Sequence, residues 1–150
     1  MTILKRVNPV LTIALLFNVL LGGLALAQGG AQKEVVVHLT HYSDNLHAVK
    51  MAVHLASMMQ GMGAKVTLFL DLEGVRLGSN KESAVLISGK DDSIPKELSA
   101  FVKAGGQMLL CPHCAEKAGI TAGDLKPGAR IGKDSDVAKT ILDARTILDY

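Results

Sequence analysis

The feature that most constrains this fold is a strand, helix, strand succession between residues 34 and 71. Val35-Val36-Val37, inside Glu34 to Thr40, is an unbroken β-branched run, which suits a strand covered on both faces. His41-Tyr42-Ser43-Asp44 reads as a loop with Ser43 or Asp44 as N-cap. A helix follows over about Asn45 to Met62, with Leu46, Val49, Val53, Met59 and Met62 at helical spacing. Gly61 to Gly63 ends it, and Lys65 to Asp71 gives a second strand. Two strands joined through a helix pair in parallel, with a right-handed crossover in nearly all proteins, so the fold class is α/β.

The remaining elements extend that unit. Glu73 to Gly78 reads as a loop or single helical turn, and the four apolar residues Ala84 to Ile87 do not fix a period, so strand and packed loop both stay open. Pro95, at the first helical position, opens a helix to about Ala104 that buries Leu98, Phe101 and Val102. Met108 to Leu110 is a short strand after the Gly105-Gly106 turn. Ala129 to Gly132 gives a further strand, Asp134 or Ser135 caps a helix to about Asp143, and Thr146 to Leu148 closes the sheet.

Ligands of parallel sheets bind beyond the carboxyl ends of the strands, which places His41, Asp71 to Gly74 and Cys111 on one rim. Both cysteines of the chain lie in Cys111-Pro112-His113-Cys114, where Pro112 suits the first turn of a helix and Gly119 its left-handed C-terminal cap. Cys111 is then the N-cap, where unsatisfied N-H groups favour a thiolate, and His113 adds positive charge when protonated. The i, i+3 spacing lets the sulfurs meet on one turn. A disulfide closing so short a loop contributes only about 2 kcal/mol by chain entropy, which favours redox work over stapling. The opposing reading is a passive surface disulfide or two inert buried thiols.

Residues 1–27 read as a secretory signal peptide: Lys5 and Arg6 without an acid, an apolar stretch from Val10, and Ala25-Leu26-Ala27 before Gln28. An uncleaved membrane anchor is the rival reading. Cleavage after Ala27 leaves Gln28 to Lys33 as a mobile linker and a single domain over residues 34–150, periplasmic or secreted, with no further membrane association. The chain has 16 Lys and Arg against 14 Asp and Glu. Loss of Lys5 and Arg6 therefore leaves a formally neutral domain. Without a basic patch or tryptophan, and with three phenylalanines, nothing argues for nucleic acid.

Other constellations are weaker. His47, Met51, His54 and Met58 share one helical face and are soft copper ligands, but methionines at this spacing are more often core filler. No second C-x-x-C or H-x-x-x-H completes a zinc site, so no metal is assigned. Ala115 after Cys114 excludes the haem attachment motif, and no G-x-G-x-x-G, P-loop or G-x-S-x-G occurs. No cofactor is expected. The tetrad resembles the active site of periplasmic thioredoxin-like oxidants, but here it follows a late strand of the domain.

From about Glu34 to Tyr150 the chain resembles the DsrE/DsrF-like family of small sulfur-handling proteins. The likeness is carried by the opening strand and its His-bearing helix, Phe69-Leu70-Asp71-Leu72-Glu73-Gly74-Val75, Cys111-Pro112-His113-Cys114 with Gly119-Ile120, Leu125-Lys126-Pro127-Gly128 and Leu148-Asp149-Tyr150. The resemblance implies a three-layer α/β/α fold around a mainly parallel sheet of about five strands, assembly into trimers or hexamers, and a persulfide-carrying cysteine. Cys111 matches that position, eight residues before Gly119. Cys114 is then a resolving or auxiliary thiol, with His113 and His41 assisting proton transfer. The expected function is an exported sulfur carrier or sulfurtransferase whose partners are sulfur donors and acceptors. A thiol-disulfide or peroxide oxidoreductase and a copper-binding module are the alternatives.

Overall fold

The computed structural model describes residues 32–81 and 93–150. The signal peptide, residues 28–31 of the linker and the Ala84 to Ile87 run lie outside the described residues. The elements are β1 (Glu34–Leu39), α1 (Leu46–Gly61), β2 (Lys65–Leu70), a 3-10 helix (Leu72–Gly78), α2 (Ser93–Lys103), β3 (Gln107–Leu110), α3 (Pro112–Lys117), a 3-10 turn (Ala122–Asp124), β4 (Ala129–Ile131), α4 (Asp134–Asp143) and β5 (Thr146–Asp149).

The strands form one sheet in the order β4-β3-β2-β1-β5, and every adjacent pair is parallel. The first three steps run outward from β1, and the last returns to pair β5 with β1. Strand order therefore reverses beside β1, and it is at such a reversal that a crevice opens at the carboxyl ends of the strands.

Side-chain alternation divides the sheet into two unequal faces. Val35, Val37 and Leu39 of β1, Val66, Leu68 and Leu70 of β2, and Met108 and Leu110 of β3 point into the larger core with residues of α1 and α2. Fully burying such side chains contributes about 1.5–3 kcal/mol each. Among the described residues the opposite face holds Val36, Phe69 and Leu109 as its buried cluster, with Val137, Ala144 and Cys111 packed against it. Because α4 buries none of its residues, this second layer is thin and leaves the strand ends open.

Local features differ from expectation for identifiable reasons. The α1 N-cap is Asn45, whose side chain accepts from the Ala48 N-H at 3.1 Å, because Asp44 is occupied by the Tyr42 N-H at 2.8 Å. The buried face of α1 is Ala48, Val49, Ala52, Val53 and Ala56, whereas Leu46 and Met62 are exposed. Pro95 is the third residue of α2, not its first, and Lys133, not Asp134 or Ser135, is the N-cap of α4.

One glycine fixes the approach of the 3-10 helix to β1. The Gly74 N-H donates to the Thr40 carbonyl at 3.1 Å, and a Cβ at this position would stand 2.1 Å from the Leu39 carbonyl oxygen. Only glycine lets the chain after β2 lie so close to the carboxyl end of β1.

Candidate functional site

The sheet aligns four chemically active residues from four neighbouring strands. Asp149 of β5 pairs with His38 of β1 in the ladder, Asp71 follows β2, and Cys111 follows β3. Leu70 and Leu110 are register partners, so Asp71 and Cys111 occupy the next level on strands about 4.8 Å apart. Alternation puts them on the thinly covered face with Phe69 and Leu109.

His38 lies between two carboxylates. Its Nδ1 is 2.5 Å from Asp149 Oδ1, and its Nε2 is 3.1 Å from Asp71 Oδ1. The ring stacks on Phe69, with centroids 5.1 Å apart and planes 20° from parallel. Geometry on the Asp71 side is off the line of a hydrogen bond, so Asp71 Oδ1 and His38 Nε2 are shielded from solvent without a well-aligned partner. An acceptor in that condition holds unused capacity for a proton donor.

The cysteines are free and half-buried. Cys111 is the N-cap of α3, ahead of Pro112 at its first position, and Gly119 takes the expected left-handed conformation at φ +67°. The Cys111 N-H donates to the Leu70 carbonyl at 2.8 Å, and its own carbonyl accepts from the Ala115 N-H at 2.9 Å. Its side chain meets the small cluster of Val36, Phe69 and Leu109, while Cys114 packs against the larger core.

These environments make the two thiols unequal. Burial pushes the Cys114 thiol above its ordinary range, and its hydrogen bond to Cys111 and the nearby Asp71 charge raise it further, against a lowering contribution from the Leu72 N-H. Ionisation of Cys114 is thus disfavoured. Leu72 reaches it from a left-handed backbone, φ 46°, the single positive φ outside glycine among the described residues, and the residue is 63% exposed. A non-glycine residue in that region costs about 1–2 kcal/mol.

The two histidines singled out in the sequence sit farther out. His41 Nδ1 contacts the Asp44 carboxylate, which holds the Asp44 carboxyl below the usual carboxylate range, helped by the Tyr42 N-H. His113 Nε2 lies 3.2 Å from Asp134 Oδ1 on an exposed rim joining α3 to α4. Sequence reading missed His38. The available signal was a histidine on the same strand parity as Val36, one residue before the end of β1. On α1, His54 faces Glu97 at 3.4 Å, and Met58 is exposed. Among the described residues no three His, Cys, Asp or Glu side chains gather as a metal site.

The profile of the DsrE/DsrF-like family matches residues 33–150. Among solved structures, the YchN protein of E. coli is similar at 23% identity, covering 79% of this chain and 99% of its own, with a TM-score of 0.65. A protein of unknown function from Methanobacterium thermoautotrophicum aligns at 11% identity over 79% of this chain and 100% of its own, with a TM-score of 0.55. Another, from Bacteroides thetaiotaomicron, aligns at 15% identity over 83% and 100%, with a TM-score of 0.51. At these identities the likeness shows the fold. No curated protein matches the chain at a significant level.

Proposed function

The chain belongs to the DsrE/DsrF-like family, and from that premise we propose that it is a sulfur-handling protein in which Cys111 carries sulfane sulfur as a persulfide. The observation that supports this reading is the different placement of the thiols: burial and the Cys111 hydrogen bond disfavour ionisation of Cys114, whereas Cys111 stands at the N-cap of α3, where a nucleophilic thiolate is favoured. The Cys111 thiolate attacks the terminal sulfur of a donor persulfide, forming Cys111-S-SH and releasing the donor thiolate. An acceptor thiolate takes the same sulfur in the reverse sense, so no external electrons are needed. His113, on the rim, assists proton transfer at the entrance, and His41 does so from the β1 loop.

The setting we propose is periplasmic or extracellular, and the protein acts as a homo-oligomer. Exposed apolar side chains on α4 and β5, Leu142 and Ile147 among them, are consistent with association.

Intact-mass analysis of reduced protein exposed to polysulfide tests the function. A gain of one sulfur on the Cys111 peptide is expected, abolished in Cys111→Ser and longer-lived in Cys114→Ser. Equal loading of Cys111→Ser and wild type refutes it. A thiol-disulfide oxidoreductase is the second reading, supported by the direct Cys114 to Cys111 hydrogen bond. Disulfide formation without sulfur retention would place it first.

A further inference from the structure

We infer that Asp71, held by His38, is the proton relay that lets Cys114 discharge the persulfide on Cys111 as hydrosulfide. The inference rests on the carrier reading above and adds a reductive release step to it. Cys114 attacks the Cys111 sulfur of Cys111-S-S⁻, the Cys111 to Cys114 disulfide forms, and the outer sulfur departs as HS⁻. The two cysteine sulfurs are oxidised and the outer sulfur is reduced, so electrons balance. A dithiol reductant later restores the pair by thiol-disulfide exchange.

Proton balance makes the relay necessary. Cys114 must lose a proton to become nucleophilic, and the outer sulfur must gain one, because it cannot leave as a bare dianion. One carboxylate beside both thiols serves both needs in turn. Asp71 has the position, one strand from Cys111 at the same level, and its charge is felt at Cys114. It also has a solvent-shielded oxygen without an aligned partner.

His38 is the positioning residue. It stands 3.1 Å from Asp71, is anchored on its other side by Asp149 and from beneath by Phe69. The described charged or titratable groups around Asp71 are His38 and, through it, Asp149; Cys111 and Cys114; and Glu73, which is tied to Arg76 at 2.7 Å. At the outer rim His113 is engaged by Asp134.

Electrostatics and relay predict opposite signs for one substitution. Asp71→Asn removes a charge that raises Cys114, so a purely electrostatic role makes Cys114 easier to ionise and release faster. A relay makes release slower. The experiment loads wild type and variants with polysulfide, removes donor, and follows hydrosulfide release and disulfide formation from about pH 6 to 9, a range spanning ordinary thiol titration. The expected result is at least about tenfold slower release in Asp71→Asn near neutrality, in keeping with general acid-base contributions. The deficit shrinks as pH rises, with partial recovery in Asp71→Glu and a smaller slowing in His38→Asn. Release from Asp71→Asn at the wild-type rate and pH profile, or faster, overturns the relay. If wild type takes up no sulfur, the carrier reading fails. The relay, which needs the persulfide, is overturned with it, whereas normal uptake with unslowed release from Asp71→Asn overturns the relay alone.

Discussion

Gly74→Ala tests how the site is held. The new methyl would lie 2.1 Å from the Leu39 carbonyl oxygen and 2.9 Å from its carbon, and both are backbone atoms at the end of a central strand. No rotamer relieves that overlap, so the 3-10 helix must withdraw. Overpacking costs about 1–3 kcal/mol, and losing the Gly74 to Thr40 hydrogen bond adds about 1 kcal/mol. At about 4 °C per kcal/mol for a domain of this size, the melting temperature falls by about 8–16 °C. The same withdrawal carries the Leu72 N-H away from Cys114, so alkylation of Cys114 moves to higher pH. Gly61→Ala is the control: nothing lies within 4 Å of its added methyl, and alanine in the last turn of α1 raises stability by about 0.5–1 kcal/mol. Calorimetry of the two variants decides. If Gly74→Ala melts within the error of wild type, the close approach of the 3-10 helix to β1 is wrong and the placement of Asp71 and Leu72 falls with it.

Leu72→Gly is about 1 kcal/mol more stable than Leu72→Ala, the reverse of the usual helical order, because φ 46° penalises any Cβ; urea denaturation with Ala ahead would refute the left-handed assignment. Phe69→Ala costs about 3 kcal/mol by removing a buried ring, and it also releases His38 from its stack, so its imidazole NMR signals broaden or shift; an unchanged melting temperature would contradict the packing. Asp124 is held below the usual carboxylate range by Thr121 first and also by Lys81. Its contribution is present above the unfolded carboxylate value and lost as pH falls through the depressed folded one. The stability gap between wild type and Asp124→Asn is accordingly flat near neutrality and closes in acid below about pH 4, and a gap independent of pH in urea titrations would refute the pairing.

Much of the scaffold is legible in local patterns. Val35 to Val37 announces a doubly covered strand, and Pro112 and Gly119 delimit α3 almost to the residue, because backbone chemistry at helix ends is local. The packing face of α1 is harder to read. Alanine carries little hydrophobic signal, so Ala48, Ala52 and Ala56 are overshadowed by Leu46 and Met62, which turn outward at the helix ends. The cysteine pair and the Asp71 rim are visible because they fall at strand ends. His38 is not, because its meaning depends on Asp149, which lies 111 positions away in the chain. Local periodicity holds no record of such a partner, and the nearer His41 draws attention to a loop where Asp44 engages it.

The row of Asp149, His38, Asp71 and Cys111 also has a consequence for how reactivity is acquired. Its members come from four strands, and β5, the latest in chain order, supplies Asp149 to the carboxyl end of β1. A chain that has paired only β1, β2 and β3 already possesses both thiols and most of the larger core, yet its His38 lacks one of its two anchors. The anchorage of His38 is therefore completed by the last strand in chain order. The thiol pair itself is set by nearer elements, the helix after β3 and the Leu72 N-H.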